Sequence, residues 1–115
     1  MMNSPPDTPA ITVAIPPYGS MRIVDESGGD ALSVFAANWD VMWPKIRSNL
    51  EEMCEYSGRS EDLKAPVWMA EGEWLEPDVF MSDEADLFLS IILRKAPVWD
   101  FFIKDNEIVH CQPVF

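Results

Sequence analysis

From Asn38 to Gly58 the apolar residues Trp39, Met42, Trp43, Ile46, Leu50, Met53 and Cys54 recur at intervals of three and four. That is the repeat of one face of an α-helix. No other stretch keeps the period over such a length. It predicts one main α-helix, about residues 40–57, whose apolar stripe needs a sheet to lie on. The outer side carries Lys45, Arg47, Glu51, Glu52 and Glu55. Arg47 and Glu51 are spaced to pair, for only about 0.2–0.5 kcal/mol. Asn38 or Asp40 is placed to cap the first turn, and Ser57-Gly58 to stop the last. Pro44 is the difficulty, because a proline in a helix interior costs about 3 kcal/mol. Either the regular helix starts near Trp43, or it is kinked there.

The remaining apolar runs are short and read as strands. Ile11–Ile15 and Met21–Asp25 alternate around the turn Pro16–Ser20. Glu26–Asp30 reads as a second turn, and Ala31–Ala37 as a strand or a helical turn, with the strand preferred. Pro66–Ala70 and Val79–Met81 read as further short strands, the second followed by a turn at Ser82–Ala85. Leu87–Leu93 is almost wholly apolar, as in a central strand covered on both faces. Val98–Lys104 and Glu107–Val114 flank Asp105-Asn106, two residues that accept positive φ, which predicts a tight hairpin over 98–114. In that register Lys104 faces Glu107, Ile103 faces Ile108 and Phe102 faces Val109. Trp99, Phe101 and Ile103 then share a face with Ile108 and His110. Pro113 marks its strand as an edge, or ends it. The fold class is therefore α+β: one helix packed on an antiparallel sheet of about five to seven short strands. Residues 1–9, with three prolines, read as a flexible tail, and residues 10–115 as a single domain.

Charge sets the second constraint. The chain has a formal charge of −12 over 115 residues, yet 48% of it is hydrophobic, with five Trp and six Phe. Such a chain folds rather than staying disordered. Its acidity disfavours nucleic acid and anionic membrane as partners and favours a basic protein. The two cysteines, Cys54 and Cys111, sit where reduced, buried thiols are normal. The first nine residues lack a basic n-region and an apolar core, so they do not read as a signal peptide. The expected compartment is cytoplasmic.

Motifs for chemistry are missing. His110 and Cys111 are neighbours in a strand and point to opposite faces, so they do not form a dyad. A Cys54–His110 pair would need the helix to cover that spot. Asp83, Glu84 and Asp86 lack the alternating ligands and glycine of a calcium loop, and a single His with no cysteine pair excludes a zinc pattern. Gly28-Gly29 lacks the rest of a phosphate-binding loop. No catalytic residue, cofactor or metal is assigned. The one distinctive stretch is Glu71–Asp86, with seven acids and no base. Glu71, Glu73, Trp74, Glu76, Asp78, Phe80, Asp83 and Glu84 are its candidate partner-binding residues, since aromatics anchor interfaces and a carboxylate rim selects a basic partner.

The residues thus point first to a non-enzymatic acidic binding domain for a basic protein, as in an inhibitor, an antitoxin-like neutraliser or an adaptor. A second reading is a small-ligand or enzymatic domain with a pocket between helix and sheet, lined by Trp39, Trp43, Trp99, Phe101 and His110. A third is a structural homo-oligomer joined through a sheet edge or through the face bearing Phe102 and Val109.

Overall fold

The structure is a computed structural model that describes residues 9–25, 31–75, 85–94 and 96–115. Its strands are β1 (Ala10–Ala14), β2 (Ser20–Val24), β3 (Trp68–Trp74), β4 (Leu87–Ile92), β5 (Val98–Lys104) and β6 (Glu107–Val114). The helix α1 (Ala31–Tyr56) lies between β2 and β3, followed by a short 3-10 helix, Ser60–Lys64. The six strands form one open sheet in sequence order. The α+β architecture expected from the sequence is present. The sheet is mixed, however: β2 and β3 pair in parallel and every other pair is antiparallel. Parallel neighbours need a long crossover connection, and α1 supplies it.

The helix starts earlier than the period over 38–58 suggests. Ala31–Ala37, read as a strand from its alternation, forms the first two turns. Leu32 and Phe35 extend the stripe of Trp39, Met42, Trp43, Ile46, Leu50 and Cys54, and all of these are buried. A stripe lying on a sheet outweighs local alternation. Asn38 and Asp40 are therefore interior residues rather than caps, and the Asn38 Nδ2 donates back to the Val34 carbonyl at 3.1 Å. Pro44 is accommodated inside the helix with its ring exposed. The C-terminal stop is as expected. Gly58 has φ +72°, Arg59 N–H donates to the Cys54 carbonyl and Gly58 N–H to that of Glu55, the two bonds of a Schellman end.

The core lies between α1 and one face of the sheet. Phe35, Trp39, Met42, Trp43, Ile46 and Leu50 meet Val13, Met21, Ile23, Trp68, Leu89, Ile91, Trp99 and Phe101. Each large side chain buried there contributes about 1.5–3 kcal/mol. The indole N–H of Trp39 donates to the Ala14 carbonyl at 2.7 Å, and that of Trp43 to the Pro16 carbonyl at 3.0 Å. These two bonds tie the helix to the β1 end of the sheet. Tyr18 stacks on Trp68, with centroids 4.9 Å apart, and donates its hydroxyl to Glu51. Arg47 pairs with Glu51 at 3.1 Å, as the spacing predicts. At Gly72 β3 comes close to the helix: a Cβ there would stand 2.5 Å from Cε2 of Phe35.

The C-terminal hairpin turns at Asp105 (φ +51°) and Asn106 (φ +65°), both positive as a tight turn needs. Lys104 faces Glu107 and Ile103 faces Ile108, as expected, but Phe102 faces His110 rather than Val109. A bulge shifts the register by one residue there, and one residue moves every later side chain to the opposite face. Cys111 and Pro113 therefore lie opposite Phe101 and Trp99 on the helix side, while His110 joins Phe102 on the other side. Pro113 does lie in an edge strand. The strand expected at 79–81, the turns at 26–30 and 82–84, and the tail at 1–8 fall outside the described residues.

Candidate functional site

Strand alternation sends half of the sheet's side chains away from α1. Among the described residues no helix or strand packs on that second face. Register lines its side chains up in three rows across the strands. One row runs Thr12, Arg22, Met69, Ile92, Val98 and Val114. The next runs Ala10, Val24, Glu71, Ser90, Asp100 and Gln112. The third runs Glu73, Phe88, Phe102 and His110. A polar, acidic row thus lies between a row that is largely apolar and a row in which Phe88 and Phe102 stand between Glu73 and His110.

The geometry of the middle row is specific. The Ser90 hydroxyl donates to Asp100 Oδ1 at 2.8 Å. Burial pushes the Asp100 carboxyl above its ordinary range, and the Ser90 hydrogen bond pulls it partly back. Glu71 and Glu73 are exposed on β3. Two strand spacings separate Glu71 from Asp100, roughly 10 Å. Phe88 and Phe102 pack against each other with centroids 5.1 Å apart, and Phe102 against the His110 ring at 5.7 Å. His110 Nε2 lies 3.1 Å from Gln112 Oε1. Met69 and Val114, both in the first row, are 43% and 41% exposed, whereas Phe102 in the third row is buried. Arg22 sits in the first row, and Lys104 lies at the hairpin end.

Of the residues singled out in the sequence, Glu71 and Glu73 fall on this face. Trp74 points inward and is half-buried against the core. Glu76, Asp78, Phe80, Asp83 and Glu84 lie outside the described residues. Sequence reading missed Asp100, Ser90 and Phe88, and offered Phe102 only as part of a face that could join two copies. The signal was an acid in the middle of the apolar strand Val98–Lys104, where an unsupported carboxylate is costly. The partner that supports it, Ser90, needed the register of β4 on β5.

The proposed pocket lining is brought together only in part. Trp39, Trp43, Trp99 and Phe101 are packed into the core, and His110 is exposed on the opposite face because of the bulge. The Cys54–His110 pair is ruled out on the same ground. Cys54 is buried on the inward side of α1, and burial pushes its thiol up to about 11. Among the described residues no group of His, Cys, Asp and Glu is arranged to hold a metal ion, and no helix is long and apolar enough to cross a membrane.

Compared with known proteins, the chain matches no family model, no curated protein and no solved structure.

Proposed function

We propose that this chain is a non-enzymatic binding domain that engages a basic partner protein through the sheet face turned away from α1. The observation that carries the reading is the acidic row set in an apolar frame. Glu71 and Asp100 in that row, with Glu73 in the neighbouring row beside Phe88, offer carboxylates, and Met69, Ile92, Val98, Phe88 and Phe102 flank them. Lysine and arginine have the same two-part character, an aliphatic stem under a charged head. A partner presenting them would bury stem against the apolar residues and place the head on the carboxylates. The charge of −12 would speed the encounter at low salt. An inhibitor, an antitoxin-like neutraliser and an adaptor are the roles this reading covers.

The test is capture of basic proteins on the immobilised chain, compared between wild type and a Glu71→Gln/Glu73→Gln/Asp100→Asn variant. The expected result is specific retention that salt weakens and that the triple variant weakens about tenfold or more. A helix-side control, Glu52→Gln/Glu55→Gln, should leave retention intact. Retention indifferent to both salt and the triple variant would overturn the assignment.

A further inference from the structure

The sheet has two edges, and they are built differently. β6 is blunted: a bulge interrupts its pairing beside Phe102, Pro113 lacks an N–H, and Glu107 at its start is held by Lys45. Bulges, prolines and charges are the devices that keep edges from pairing. β1 carries none of them. Its sequence, Ala-Ile-Thr-Val-Ala, has no charge, no proline and no bulge against β2.

The hydrogen-bond phase of β1 shows which backbone groups its pairing with β2 leaves unused. Asp25 N–H donates to the Pro9 carbonyl, and Ile15 N–H to that of Gly19. Odd-numbered residues therefore face β2, and Ala10, Thr12 and Ala14 direct their N–H and C=O groups outward. Trp39 already donates to the Ala14 carbonyl, leaving that oxygen a second lone pair. Among the described residues no strand lies beyond this edge.

Charge decides what fits there. A chain at −12 repels its own copy over most of its surface. Residues 8–24 are its longest run without Asp or Glu, and Arg22 is their one charge. β1 and β2 fill most of that run. The one long acid-free segment thus presents the one undefended edge.

We infer that β1 is a self-association edge, where two copies pair antiparallel about a two-fold axis at Thr12. Ala10 then faces Ala14 of the second copy and Thr12 faces its own counterpart, all as hydrogen-bonded pairs. The two sheets become one of twelve strands, and their outward faces join. The two acidic rows on β3 end up roughly 24 Å apart by strand spacing, so the dimer presents the proposed binding face twice. A five-residue edge makes a small interface, so assembly belongs to the weak, concentration-dependent class.

Sedimentation of the full chain over a concentration series tests this. The expected result is a shift from 13.1 kDa towards twice that mass. Thr12→Glu, on an exposed side chain, should abolish the shift by setting two carboxylates face to face. Thr12→Pro should do the same by removing an N–H that the monomer's own sheet does not use. Amide exchange gives an independent readout: Ala10, Thr12 and Ala14 should become protected with rising concentration, while Ile11 and Val13 are protected throughout. A chain that stays monomeric, or a dimer that survives both substitutions, would overturn the inference. Glu71→Gln/Glu73→Gln/Asp100→Asn should leave the mass shift unchanged, which separates this edge from the proposed binding face.

Discussion

Gly72→Ala is the substitution whose cost the structure defines most sharply. The added methyl carbon would stand 2.5 Å from Phe35 Cε2, and 3.2 Å from both Phe35 Cδ2 and Ile23 Cγ2. Carbon atoms attract best at about 3.5–4.0 Å, so the Phe35 ring has to move by around an ångström. Phe35 and Ile23 are both fully buried, so the ring can move only against its core neighbours. Overpacking of this kind costs about 1–3 kcal/mol. Alanine recovers roughly 0.5–1 kcal/mol of the conformational penalty of glycine in a strand. Taking the middle of each range, about 2 less about 0.75, the net expectation is a loss of about 1 kcal/mol. For 115 residues that corresponds to about 4 °C in Tm, so the midpoint should fall by about 4 °C. Urea and thermal unfolding would measure it. A double-mutant cycle locates the cause: in a Phe35→Leu background the same Gly72→Ala change should cost less by about 1 kcal/mol. A Gly72→Ala protein as stable as the parent, or a cycle with no coupling, would refute the close approach of α1 to β3.

Two further outcomes follow from the titrating groups. Burial raises the Asp100 carboxyl in the folded state, so between its unfolded and folded values the native chain holds the extra proton. Stability from this site is full below the ordinary carboxylate range and is lost as pH rises through the folded value. Asp100→Asn, which can still accept from Ser90, should melt higher than the parent at neutral pH, with the gap closing in acid; parallel pH profiles for the two proteins would contradict this. Cys54, pushed up to about 11 by burial, is on the order of one part in ten thousand thiolate at neutral pH. It should react with a thiol reagent only when the chain unfolds, and rapid labelling of the native protein at Cys54 would count against its place on the inward side of α1.

Much of the framework was legible because it rests on local periodicity. The stripe Trp39–Cys54 demanded a helix, Gly58 ended it, and Asp105-Asn106 turned the hairpin with the first two pairs of its register correct. These are statements about neighbours within a few residues, where spacing and backbone preference decide. The errors lie where a distant surface outweighed the local pattern. Ala31–Ala37 alternates like a strand, yet Leu32 and Phe35 were recruited to a stripe already lying on the sheet. His110 was assigned to the helix side, and one bulged residue put it on the other.

The candidate face shows the same division. Acidity, the carboxylates on β3 and the absence of catalytic motifs were properties of the chain as written. That Glu71 and Asp100 share a row, that Ser90 supports the buried acid, and that β1 is bare while β6 is blunted were decided by tertiary structure alone. The physical reason is register: a strand's own residues choose its two faces, but only its neighbours choose which side chains meet and which backbone groups are left over.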